Sequence, residues 1–293
     1  MDETHAYWTT VSGRIERGSF ETGAVDTLTT VTGSSVLALA GDALYFADGK
    51  RLARMPKAGG TVEVLASATW SPVDLVVDGK TVLVLDYGSG VLSGRVLLVS
   101  PGGGLAPIIE QLDFPRAIAL RAPLVYVVAE HAMVSGQFVA GAVVRASLLM
   151  QPPVLIASEM RESFGIAADP GKTGRIYVGR AANAKLEIDG RLFIVDQAMS
   201  TSIPVVGDAL ALGMARDGDV FYVTVPGTTI GGTTKPSRLM RVPLSGQPVT
   251  TVVEKTGPFF TFPAVNAKYI AITQQHYPPE APLDANVRVL CKP

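Results

Sequence analysis

The chain has one cysteine in 293 residues. Cys291 can close no disulfide within the chain, and a single thiol near the end assigns no redox compartment. Charge is also sparse, at 17% of residues with a formal net charge of −1. That balance gives no electrostatic reason to expect nucleic acid or an anionic membrane as partner. No apolar run approaches the roughly 20 residues that a membrane-spanning helix needs, so no membrane span is expected. The first residues, MDETHAYWTT, lack the basic start and apolar stretch of a signal peptide. Nowhere is an apolar period of 3.6 sustained, which predicts that helices are nearly absent.

What the chain does have is 47% hydrophobic residues with 30 Gly and 20 Pro, the mixture of short strands joined by tight turns. It also repeats itself. Tyr7 in AYWTT, Tyr45 in LYFAD, Tyr126 in VYVVAE, Tyr177 in IYVGR, Tyr222 in FYVTV and Tyr269 in KYIAIT occupy one slot, and Leu83 in TVLVLDY fills it once more. The period is roughly 38 to 51 residues, the length of a propeller blade. A second run follows each first, usually opening on arginine: Arg14, Arg51, Arg95, Arg191 and Arg238.

Each unit reads as four strands. An inner strand (SVLALA, VDLVVD, RAIALR, FGIAAD, LALGMA, FPAVNA) precedes the Tyr strand, the Arg strand and an outer strand such as TVEVLA. Turn signals such as DGK, PGGG and ARDGD separate them. A lone four-stranded sheet leaves a face exposed, whereas blades packed around an axis bury both. The prediction is an all-β propeller of four-stranded blades, seven in number with six as the alternative. The blades span about 1–32, 33–68, 69–112, 113–159, 160–207, 208–256 and 257–293 in a single domain. The first unit begins at its Tyr strand, so the first blade is expected to be incomplete. Either Met1 is a true start, with a cytoplasmic protein the expectation, or an upstream segment carries the missing strand and an export signal, with an extracytoplasmic one.

The LYFAD…RLARMPKAGGTVEVLA unit, with inner strands preceded by an aromatic or proline (WSPVDLVVD, DFPRAIAL, ESFGIAAD), resembles bacterial propellers of the TolB-like, NHL-type and streptogramin-lyase-like groups. The resemblance covers nearly the whole chain. It implies a propeller that is often exported or lipid-anchored and often serves in binding. Such folds host many unrelated functions.

Connection lengths carry the functional signal. The links from first to second strands are mostly short, such as AGD, DGK and RAP. Those from second to third strands grow to DYGSGVLSG, EHAMVSGQFVAG, GRAANAKLEIDG, VPGTTIGGTTKPS and QQHYPPEAPLDAN. All five fall on one rim, and long links in a compact domain are disproportionately functional. That rim is the expected interaction face, for a protein, peptide or carbohydrate. Its candidate binding residues are Asp86, Tyr87, Glu130, His131, Arg180, Asn183, Lys235, Gln275 and His276, with Glu187, Asp189 and Asp284 nearby. Trp70, Phe114, Arg116, Glu162, Phe164, Phe259 and Phe260 come from the blade-to-blade links. Aromatics around polar groups suit a specific pocket, while plain blade packing is the competing reading for them.

His131 and His276 occupy equivalent places, with Glu130 adjacent to the first and Glu280 four residues beyond the second. His276 with Glu280, or His131, are the acid–base candidates if the chain is an enzyme of the lyase kind. A metal site needs three or four convergent ligands. For a lactonase-type metal, which that resemblance would imply, only Glu162 and Asn266 are loosely placed, so no metal is expected. Gly59–Gly60 and Gly102–Gly104 lack the following helix and lysine of a phosphate loop, and no cofactor is expected. A binding propeller is the leading reading; the lyase or hydrolase, and a structural or sensor module of an extracytoplasmic assembly, are the alternatives.

Overall fold

The computed structural model describes residues 1–10, 12–32, 36–171, 175–182, 188–196, 199–206, 213–230, 233–256, 258–276 and 285–292. Among them there is no helix, and so none long and apolar enough to cross a membrane. The strands follow the repeat. The first sheet has β1 (His5–Thr9), β2 (Arg14–Ser19) and β3 (Val25–Thr30). The second has β4 (Leu37–Ala40), β5 (Ala43–Asp48), β6 (Arg51–Pro56) and β7 (Glu63–Ser67). A seven-stranded sheet follows: β8 (Pro72–Asp78), β9 (Thr81–Asp86), β10 (Gly94–Val99), β11 (Leu105–Arg121), β12 (Leu124–Val134), β13 (Gln137–Ser147) and β14 (Val154–Ala157). Next come β15 (Ser163–Ala168), β16 (Arg175–Ala182), β17 (Ile188–Asp196) and β18 (Met199–Val206). The fifth large sheet joins β19 (Gly213–Asp217) and β20 (Val220–Val225), then, past a small hairpin of β21 (Thr228–Ile230) and β22 (Thr233–Lys235), β23 (Ser237–Pro243) and β24 (Thr250–Lys255). The last has β25 (Pro258–Val265), β26 (Tyr269–His276) and β27 (Ala285–Cys291).

Neighbouring strands pair antiparallel, in sequence order within each unit. The second strands are apolar on both faces because a sheet covers each face. Leu44, Tyr45, Phe46 and Ala47 of β5 are all buried. Leu44 and Phe46 pack with Ile15 of the first sheet, and Tyr45 packs with Leu75, Val84 and Leu97 of the next. Continuous rather than alternating apolarity is the consequence. At three of its positions the recurring arginine meets a carboxylate: Arg95 Nε binds Asp86 Oδ2 at 3.0 Å, Arg14 meets Glu16 at 3.2 Å, and Arg51 pairs with Asp48.

One boundary differs from expectation. Residues 112 and 113 lie inside β11, a single strand that serves as the outer strand of the third unit and the inner strand of the fourth. Pro107 and Pro115 suggest breaks here, since proline donates nothing to a ladder. Register shifts between Gly94 and Leu97 on β10 and between Pro115 and Ala117 on β11 absorb the irregularity.

First and last sheets meet. Asn266 Nδ2 donates to the Asp2 carbonyl at 2.6 Å, and Phe20 lies 4.6 Å from Tyr269, centroid to centroid. The same Asn266 side chain accepts from Lys268 and Tyr269 N–H at 2.9 and 2.7 Å, so it both shapes its turn and clasps the ring. Losing these bonds in Asn266→Ala should lower the unfolding free energy by about 1–2 kcal/mol in denaturant titration; an unchanged midpoint would show that the clasp adds nothing. Inside the ring is a cavity of about 950 Å³. β1, β8, β11, β15, β19, β25 and the stretch from Val36 through β4 all contribute to its wall.

Candidate functional site

The rim carrying the links from second to third strands is built differently from the expected set of loops. In the fourth unit EHAMVSGQFVAG is a β-hairpin, with β12 and β13 pairing out to Val134 and Gln137 around a turn at Ser135 and Gly136, φ 51° and 78°. It forms a strand pair because its apolar residues have somewhere to go. Ala132 and Val134 are buried and join the core that holds Leu112 and Ala142. In the sixth unit Thr228 to Lys235 likewise holds the β21–β22 pair. The third unit keeps a true loop at residues 87–93.

His131 therefore sits within β12, opposite Ala140 on one side and Asp113 on the other. Its Nδ1 lies 3.2 Å from Asp113 Oδ2, and its ring stacks on Phe138 at 5.0 Å. Glu130 turns elsewhere. It accepts from Arg116 Nε at 3.2 Å and from the Glu162 N–H at 3.1 Å, while Arg116 Nη2 reaches Glu162 Oε2 at 3.4 Å. This Arg116–Glu130–Glu162 cluster joins the fourth and fifth units at the mouth of the central cavity, whose wall includes Arg116.

Asp86 is 1% exposed, and its oxygens take the Ser71 and Gly88 N–H groups at 2.7 and 3.1 Å as well as Arg95. It shapes the loop and offers little to a ligand. Its neighbour Tyr87 meets Phe114 edge to face at 5.5 Å. Arg180 donates to the Glu159 carbonyl at 3.4 Å and lies 4.5 Å over the Phe193 ring. Lys235 ends β22, across from Thr228. Gln275 and His276 end β26, opposite Phe259 and Pro258. Asn183, Glu187, Glu280 and Asp284 lie outside the described residues, so the His276–Glu280 pairing does too. Asp189 lies on β17.

The aromatics divide. Trp70 is core, buried with its Nε1 3.3 Å from the Gly49 carbonyl. Phe164 lies over Gly179, where a Cβ would come within 2.2 Å of its ring. Phe114 and Phe138 stand exposed. Glu162 precedes β15 and Asn266 follows β25, so these two sit at opposite ends of their inner strands. Among the described residues no group of three or more His, Cys, Asp or Glu could hold a metal ion.

Left-handed non-glycine backbone recurs on this rim, with Met150 at φ 59° on the opposite one. Gln111 and Phe114 have φ of 60° and 48°, and Glu159 and Glu162 have 62° and 49°. These non-glycine residues repeat at a spacing of three, the first pair inside β11 and the second just before β15. Each costs roughly 1 kcal/mol or more in that region.

Two residues escaped sequence reasoning. Phe138 was hidden inside what read as a loop, though the alternation in QFVAG was its signal. Asp74, in the inner strand of the third unit, lines the central cavity. Its Oδ1 accepts the Leu75 N–H at 2.8 Å and its Oδ2 the Ile118 N–H of the next unit at 2.9 Å. Burial pushes its carboxyl up to about 6, against the opposing pull of those two N–H groups. A carboxylate inside the otherwise apolar VDLVVD was the available clue.

No protein-family model matches the chain, and no curated protein matches it. Solved structures do. One from a nidogen/laminin complex superposes with a TM-score of 0.60 at 14% identity, over 86% of this chain and 93% of the other. The computationally designed Ika8 protein gives 0.61 at 11% identity, over 100% of this chain and 94% of the other. A putative TolB from Agrobacterium tumefaciens gives 0.56 at 13% identity, over 83% and 90%. With radial antiparallel sheets around a central cavity, these likenesses establish that the chain folds as a β-propeller, in keeping with the TolB-like resemblance of its repeat.

Proposed function

We propose that this protein is a non-enzymatic binding propeller that presents the rim of its third and fourth units to a protein or peptide. One observation carries the reading. The large aromatic side chains exposed among the described residues are Tyr87 at 36%, Phe114 at 46% and Phe138 at 57%, and all three stand on this rim. Val91, 79% exposed, extends the patch. Exposed aromatics bordered by fixed charges have the composition of an interface centre, where a few such side chains supply most of the affinity. The paired left-handed residues favour a ligand role, since strain of this kind collects at binding sites. The nidogen/laminin neighbour supports a protein as the partner class.

The test is a peptide-display selection beside a glycan array, followed by two variants. One replaces Tyr87, Phe114 and Phe138 by alanine; the other replaces the exposed Leu149 and Met150 of the opposite rim by serine. Selected peptides should bind the first variant at least about 30-fold more weakly, as a lost hot spot of about 2 kcal/mol implies. They should bind the second unchanged. The reverse pattern would move the site to the other rim, and retention on the glycan array alone would replace the peptide by a carbohydrate.

A further inference from the structure

We propose that the central cavity is a second binding site, separate from the rim, which takes a small organic ammonium ion against Asp74. The cavity's volume of about 950 Å³ falls at the upper end of the range for small-molecule sites, about 300–1,000 Å³. Much of its wall is apolar, with Trp8, Leu39, Val73, Phe164 and Met214 among the contributors. Into this wall the fold sets a carboxylate held by backbone from two units: Leu75 N–H on β8 and Ile118 N–H on β11. A carboxylate offers about four lone-pair positions, and these two bonds use half of them. Asp74 forms no ion pair among the described residues.

Neither cationic group on the wall is paired with it: the α-ammonium of Met1 lies in the field of Asp2 and Lys57. Arg116 is bound to Glu130 and Glu162 at the mouth, two carboxylates to one guanidinium. The cavity thus combines a carboxylate that has no ion-pair partner with apolar surface. That combination selects its ligand. An anion is repelled. A divalent ion held by the protein is fixed by several oxygens, and one carboxylate with two of its lone pairs already used supplies too few. A neutral molecule fills the apolar volume but makes no charge-assisted bond. An organic ammonium does both, donating N–H to Asp74 while its carbon body covers the wall.

The probes are benzylammonium, its near-isostere benzyl alcohol, and benzoate, titrated by calorimetry at about pH 8 into the whole protein, Asp74→Asn, and the triple rim variant. Wild-type protein should bind benzylammonium at least about tenfold more tightly than benzyl alcohol, the factor that 1.4 kcal/mol represents, and benzoate not at all. Asp74→Asn should bind the two uncharged or cationic probes within about twofold of each other, and the rim variant should keep the wild-type preference. Equal affinity for benzylammonium and benzyl alcohol in the wild type, or no binding of benzylammonium, overturns the site without reference to any variant. An undiminished preference in folded Asp74→Asn overturns the assignment to Asp74.

Discussion

Replacing Gly141 by alanine should destabilise the protein by roughly 3 kcal/mol. Gly141 sits in β13 with φ 57°, and the link at residues 158–162 rests on it. A Cβ there would come within 2.4 Å of the Met160 backbone nitrogen and 2.8 Å of that of Arg161. Backbone cannot swing aside as a side chain can. The link would lift, straining the Met160 N–H bond to the Gly141 carbonyl at 2.9 Å and the Glu159 N–H bond to the Ala140 carbonyl at 3.1 Å. About 1–2 kcal/mol for a left-handed alanine and about 1 kcal/mol for each weakened hydrogen bond give the total. Equilibrium denaturation reads it directly. A change below about 0.5 kcal/mol would mean that the link is not seated as described, and with it the Glu130–Glu162 contact at the cavity mouth.

Asp74 makes stability depend on pH in a direction opposite to that of most carboxylates. Its folded pKa, about 6, lies above the 3.8 ordinary for an aspartate carboxyl. The fold therefore favours the neutral acid, and this group's contribution is complete below about pH 4 and is lost as pH rises through about 6. Two units correspond to about 3 kcal/mol. Because the carboxyl faces a cavity wide enough for water, we expect about 2. Asp74→Asn titrates nothing at this position. It also forfeits one of the two N–H acceptors, a loss that is the same at every pH and drops out of the difference. The stability of the variant relative to wild type should thus rise by about 2 kcal/mol between about pH 4 and pH 7.5. Parallel pH profiles would show that Asp74 is not buried as its contacts imply.

The repeat was legible because a propeller asks the same thing of each unit. Tyr45, Tyr126, Tyr177 and Tyr222 are all buried on second strands, and Leu83 fills the same slot at 0% exposure. Apolar runs covered on both sides and DGK turns with Gly49 and Gly79 at φ near 57° are local demands, readable locally. Less local features were not. Pro115 reads as a break, yet β11 runs through it, because a register shift removes the need for its missing N–H. EHAMVSGQFVAG reads as a loop until its apolar residues find the core above Leu112. Residue type alone did not separate Trp70, which is core, from Phe114, which is exposed on a left-handed backbone. Asp86 looked available for a ligand because sequence does not disclose the two loop N–H groups and the arginine that occupy it.

Hydrogen-exchange footprinting of the protein with a selected peptide bound tests the binding face most directly. Protection should concentrate at residues 87–93, 112–116 and 130–140, around Tyr87, Phe114 and Phe138, with the turns at 100–104 and 148–153 unchanged. Protection of those turns, with the rim of the third and fourth units exchanging as in the free protein, would contradict the rim as the site of binding.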